Sequence, residues 1–106
     1  MSKNVKIVFT IPETEANNMR KAMAKAGIGK IGNYDSCSFS SKGIGRFRPL
    51  QGAHPAIGQL GKLEEVPEER IEAICPRQKL SEAIKIIKDA HPYEEPAIDV
   101  YTLEDL

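Results

Sequence analysis

The sequence predicts an α+β domain of the ferredoxin-like plan, β-α-β-β-α-β, in which an antiparallel sheet carries two helices on one face. Three observations predict it. Four segments have strand character, two others repeat their apolar residues at helical spacing, and the helical segments follow the first and third strands. The 106 residues, 41% hydrophobic and 28% charged, set the scale of one domain, residues 1–106, whose modest core gains from association.

Lys6 to Ile11 is rich in β-branched residues and stops at Pro12, and Ile7, Val8 and Phe9 run without a polar gap, as in a central strand. Thr14 is placed to cap the helix that follows. There Ala16, Met19, Ala22, Met23 and Ala26 form one apolar face, Arg20, Lys21 and Lys25 suit the C-terminal dipole, and Gly27 ends the helix. Tyr34 to Ser41 alternates imperfectly as a second strand, with Cys37 and Phe39 expected toward the core and the serines toward water. Lys42 to Gly61, with five glycines and two prolines, reads as a long ordered Gly/Pro-rich hairpin loop. Leu63 to Cys75 reads as a third strand interrupted at Pro67. Leu80, Ala83, Ile84 and Ile87 place a second helix over residues 78–90, which His91-Pro92 terminates. Ala97 to Leu103 alternates as the last strand. The sequence shows no internal repeat and no low-complexity segment.

Net charge is zero, but its order is uneven. Residues 1–62 hold ten Lys and Arg against three Asp and Glu, and residues 63–106 hold five against twelve. The basic residues are spread over a helix and a loop, and only Phe47 sits between arginines, so nucleic acid is disfavoured as a partner. The asymmetry fits halves that fold against each other, or subunits that meet head to tail. No apolar run approaches the roughly 20 residues that span a bilayer, and Met1 to Val5 opens no signal-peptide core, so a cytoplasmic chain is expected. Cys37 and Cys75 are expected as free thiols.

Four motifs carry candidate chemistry. Gly27-Ile28-Gly29-Lys30-Ile31-Gly32 matches G-x-G-x-x-G, but a dinucleotide site needs a strand before it and a helix after it, and here the helix comes first. It reads as a helix cap and a turn. Cys37, His54, Cys75 and His91, with Glu94 and Glu95, are the available metal ligands, yet none has a partner at zinc-site spacing. His91-Pro92-Tyr93-Glu94-Glu95-Pro96 combines a helix stop, an imidazole and two carboxylates; with no nucleophile or oxyanion device beside it, it points to shape and subunit contact more than to catalysis. Lys42-Gly43-Ile44-Gly45-Arg46-Phe47-Arg48-Pro49 could wrap an anion between glycine N–H groups and two arginines.

Taken in order, Gly29 to Phe39, Gly43 to Pro49, Pro55-Ala56-Ile57-Gly58 and His91 to Tyr101 resemble the YqfO-type domain that is inserted in Nif-three-like dinuclear-metal proteins and also occurs alone. The His-Pro-Tyr-Glu-x-Pro signature before the last strand is also similar to CutA proteins. The resemblance implies a PII-like form of the ferredoxin-like fold and a homotrimer assembled around its sheets. The metals of the larger proteins are held by domains that flank the insert. With only His54 and His91 in this chain, the resemblance implies neither a dimetal site nor a GTP cyclohydrolase or other hydrolase activity here.

The expectation is a non-enzymatic PII-like module without a cofactor. It would hold a small anionic ligand or a protein partner in a cleft between subunits, floored by Tyr34, Asp35, Arg46 and the His91 to Glu95 turn. Phe47, Arg48, Tyr93, Glu94 and Glu95 complete the candidate set. The alternative is a CutA-like divalent metal-binding or metal-tolerance protein that uses Cys37, His91 and Glu94 across an interface. An enzyme acting through His91 and Glu94 is the third and weakest reading.

Overall fold

The computed structural model describes residues Met1–Leu106. Its strands are β1 (Asn4–Pro12), β2 (Phe39–Phe47), β3 (Glu64–Pro76) and β4 (Ile98–Thr102), and its helices are α1 (Ala16–Lys25) and α2 (Leu80–Ala90). All pairings are antiparallel, in the order β2-β3-β1-β4, which is the expected α+β, ferredoxin-like plan. β1 is flanked on both sides, and its alternate residues Val5, Ile7, Phe9 and Ile11 are at most 1% exposed. They join Ile71, Ala73 and Cys75 of β3 beneath Ala16, Met19 and Met23 of α1 and Ala83 and Ile87 of α2. The sheet's other face carries no helix. No helix is long and apolar enough to cross a membrane.

Several boundaries differ from the sequence expectation, each for a physical reason. Thr14 caps no helix: Glu13–Glu15 form a 3-10 turn, and α1 starts at Ala16 without a side-chain cap. The second strand begins at Phe39 rather than Tyr34 and continues to Phe47, so six residues assigned to the loop are strand. Gly43 and Gly45 are tolerated there because the β3 ladder supplies their order, whatever their own preference. Phe39 is 67% exposed, contrary to the inward position expected for it, and Cys37 is only partly covered. β3 runs through Pro67 without a break. β1 ends opposite Glu68, so Pro67 has β2 as its single neighbour, where a missing N–H is tolerated.

Beyond that point the β2–β3 ladder continues for four rungs, from Ile44↔Pro67 to Phe47↔Glu64, as a two-stranded arm. The arm and its loop stretch the molecule to 45 × 23 × 21 Å, with a radius of gyration of 14.7 Å, where a compact domain of this length would have about 13 Å.

The glycine-rich segment is the expected helix cap. Gly27 N–H bonds to Ala24 O and Ile28 N–H to Met23 O, both at 3.0 Å, with Gly27 at φ +81°; this is the paired Schellman arrangement, and Ile28 packs in the core beside Met23. Gly29 then donates to Ile74 O at 2.7 Å and accepts from Cys37 N–H at 2.9 Å. A Cβ at Gly29 would overlap the Cys37 carbonyl, whereas one at Gly32 would meet nothing; both residues are left-handed. Gly32→Ala should therefore lower stability by about 1–2 kcal/mol, the cost of a left-handed backbone alone, and Gly29→Ala by clearly more. Urea unfolding of the two variants measures the order.

Candidate functional site

A cleft of about 950 Å³ opens where the β2–β3 arm leaves the sheet. Its walls are Lys42 to Phe47 of β2, the following loop to Ile57, and the turn from Tyr93 to Ala97, with Thr10, Glu68 and Arg70 as floor. Register explains the floor. Ser41 lies opposite Arg70 and Gly43 opposite Glu68, and Arg70 lies opposite Thr10, so these residues share the face of the sheet that carries no helix.

The floor is held by a chain of contacts that starts in the core. His91, 6% exposed, places Nε2 at 2.7 Å from Thr10 O, and its Nδ1 accepts the Tyr93 N–H at 3.1 Å. That pair of contacts fixes a neutral imidazole with the proton on Nε2. The Tyr93 hydroxyl donates to Glu68 Oε2 at 2.7 Å, and Glu68 is 5% exposed. Ring contacts follow the same path: Phe9 to His91 at 6.4 Å, His91 to Tyr93 at 5.0 Å and Tyr93 to Phe47 at 5.4 Å between centroids. Gly45 completes the arrangement, because a Cβ there would overlap the Glu68 carboxylate. Glu94 Oε1 accepts the His54 N–H at 2.8 Å and ties the long loop to the turn.

Burial pushes the His91 pKa below its ordinary value, against the Thr10 carbonyl and Glu68, which act to raise it. Burial also lifts the Tyr93 phenol well above its ordinary range, and the Glu68 hydrogen bond adds to the rise. The cations of the walls are less committed. Arg46 Nε stands 3.6 Å from Glu65 Oε1, with both side chains more than half exposed, a geometry that contributes little. Lys42 and Arg48 have no ion-pair partner in the chain.

Of the residues singled out from sequence, Arg46, Phe47, Arg48, Tyr93, Glu94 and Glu95 line this cleft. Within one chain, three of the expected groupings are not brought together. Tyr34 and Asp35 lie elsewhere: the bonds from Gly29 to Ile74 and from Cys37 to Gly29 anchor their segment at the far end of β3. Ile74 is six strand residues from Glu68, roughly 20 Å. His91 lies beneath the cleft, and both of its ring nitrogens are occupied, so it presents none to a ligand, a metal or a substrate. Cys37, at the far end with Tyr34, is not brought to His91 and Glu94 within one chain; no group of three or more His, Cys, Asp or Glu side chains gathers anywhere. Glu68, Arg70 and Thr10 are the floor residues that sequence reasoning missed. Glu68 sits in a run with Glu64, Glu65 and Glu69, none of which is buried, and nothing in the spacing of the run marks it.

No family model matches the chain. It is 49% identical over 100 residues to the GTP cyclohydrolase 1 type 2 homolog of Listeria innocua, a match that covers 93% of this chain and 27% of the relative. Among solved structures, a Bacillus cereus protein related to NIF3 aligns with TM-score 0.82 and 46% identity over 96% of this chain and 26% of its own. CutA of Archaeoglobus fulgidus, a periplasmic divalent cation tolerance protein, aligns with TM-score 0.70 over 96% of this chain and 85% of its own; at 19% identity this is a likeness of fold. The chain spans about a quarter of the length of the curated relatives it matches.

The buried imidazole carries a pH signature. Because the folded state lowers the His91 pKa, the unfolded chain takes up the proton first. His91 therefore leaves stability intact above its unfolded value of about 6.5 and removes it as the pH falls from there toward the folded value. Denaturant titrations between pH 7.5 and pH 5 (values chosen to bracket about 6.5) should show declining stability for the parent chain. The decline should be shallower in His91→Gln, and parallel slopes would count against the buried neutral imidazole.

Proposed function

The chain is homologous along nearly its whole length to the YqfO-type domain of the NIF3-related proteins, with a CutA-like, PII-like fold, and on that premise we propose that it is a non-enzymatic module that binds a small anionic ligand. The site is the cleft at the base of the β2–β3 arm. The observation that carries the reading is this cleft of about 950 Å³, whose wall offers Lys42 and Arg48 free and Arg46 loosely paired. Cations held at the rim of a concave, partly apolar site suit a carboxylate or phosphate group on a ligand of metabolite size. The hydrolase-type name of the longer relatives describes proteins of about four times this length, and the turn's histidine has no ring nitrogen left for acid–base work.

Self-association belongs to the same proposal. β2 and β4 are both edge strands, and Phe39, Ile44, Leu50, Leu60, Leu63 and Tyr101 are large apolar residues at the surface. Free edges and apolar side chains together call for a partner surface. A symmetric homotrimer, with the projecting arm of one copy laid against the next, covers both.

Two measurements test the reading. The double variant Arg46→Ala, Arg48→Ala should lose the amide shifts that inorganic phosphate induces along the arm while its circular dichroism stays that of the parent. Native mass spectrometry should find three copies; a monomer at micromolar concentration would refute the assembly.

A further inference from the structure

Resting on the reading of the cleft as a ligand site, we infer that its ligand is amphoteric: it brings an ammonium or amide N–H donor to Glu68 and an anionic group to Arg48 at the rim. Glu68 is the one strongly buried carboxylate in the chain, at 5% exposure, and it stands in no ion pair. Its single hydrogen bond comes from the Tyr93 hydroxyl to Oε2. Folded interiors normally neutralise or pair such a group.

The nearest cation on its own strand does not serve. Arg70, two residues along the same face, directs Nη2 to Glu72 Oε2 at 3.4 Å. Arg46, on the opposite face of the arm by register, directs Nε to Glu65. Glu68 itself lines the cleft, so a ligand seated there meets a carboxylate that no cation of the chain neutralises. The carboxylate is also positioned before any ligand arrives, by the Tyr93 hydroxyl on Oε2 and by close packing against Gly45, where a Cβ would overlap it. A fixed acceptor of this kind rewards a ligand that carries a donor and rejects one that lacks it. A metal ion is the poorer fit, since no group of three or more ligating side chains surrounds the position.

The test uses the full chain, labelled for amide NMR, and two probes that differ only in the donor: O-phosphoethanolamine and ethyl phosphate. Phosphoethanolamine should bind at least about tenfold more tightly, the factor expected for a hydrogen bond to a charged group. Glu68→Gln should bring the two probes to parity without lowering the melting temperature of the ligand-free chain, because the amide oxygen can still accept from the Tyr93 hydroxyl. Tyr93→Phe keeps the carboxylate and should keep the preference.

Equal binding of both probes to the parent chain, at the cleft, would overturn the inference and leave the anion-binding reading standing. No cleft shifts with either probe, or with inorganic phosphate, would overturn both. A lower melting temperature in Glu68→Gln would make Glu68 a structural group and overturn the inference. Loss of self-association in that variant would assign the missing donor to a second copy of the chain and overturn it as well.

Discussion

The hydrogen bonds that lead from Thr10 through His91 and Tyr93 to Glu68 are the constraint on which the cleft depends. They join three pieces that the sheet alone would leave separate: the end of β1, the turn after α2, and the part of β3 where the arm begins. α2 must stop at Ala90 for this to happen, and it does, because the residue before Pro92 takes the extended conformation, φ −86° and ψ 135°. That change of direction sends the imidazole down to Phe9 and the phenol across to β3. The turn is then a fixed wall, and the Glu94 contact to His54 extends the order to the loop beyond the arm.

A second constraint comes from the unequal lengths of the strands. β3 has 13 residues and β1 has nine, so β3 and its partner β2 outrun the layer of helices. Within the helix-covered part, register places Ile71, Ala73 and Cys75 in the core. Beyond it there is no core to enter, and the same alternation leaves Ile44 half exposed while Val66 and Glu68 are buried, Glu68 beneath Tyr93 of the turn. A two-stranded ribbon is marginal by itself. The arm therefore draws its order from Tyr93 and Phe47 on one side and, in the trimer proposed above, from a neighbouring copy.

Much of this fold was legible in the sequence because burial repeats with a period. The spacing of Leu80, Ala83, Ile84 and Ile87 gave α2, the β-branched run before Pro12 gave β1, and the glycine at position 27 marked the end of α1. Errors arose where order comes from a partner strand. Gly43 and Gly45 read as loop because glycine lacks strand preference, yet the ladder to β3 holds them extended. Phe39 read as core because it is aromatic, although it lies on an edge strand with the helices on the other side of the sheet. The candidate site divided in the same way. Local features located Arg46, Phe47, Arg48 and the Tyr93 to Glu95 turn, but Tyr34 and Asp35 were grouped with them through sequence order and the family likeness, and strand direction carries them to the opposite end of β3.

His91 and Glu68 show why residue type is a weak guide to role in this cleft. A histidine next to two glutamates resembles a catalytic or metal-binding group, but its chemistry is exhausted internally: one nitrogen donates to a carbonyl, the other accepts an amide, and burial keeps the ring neutral. Glu68 looks like one more solvated carboxylate in an acidic strand. Its position opposite a glycine, under a tyrosine and at the floor of a cleft leaves it with binding capacity that no other group in the chain uses. In both residues the deciding property is the number of lone pairs and protons left unsatisfied after folding, a quantity set by three-dimensional neighbours and therefore invisible to spacing or composition.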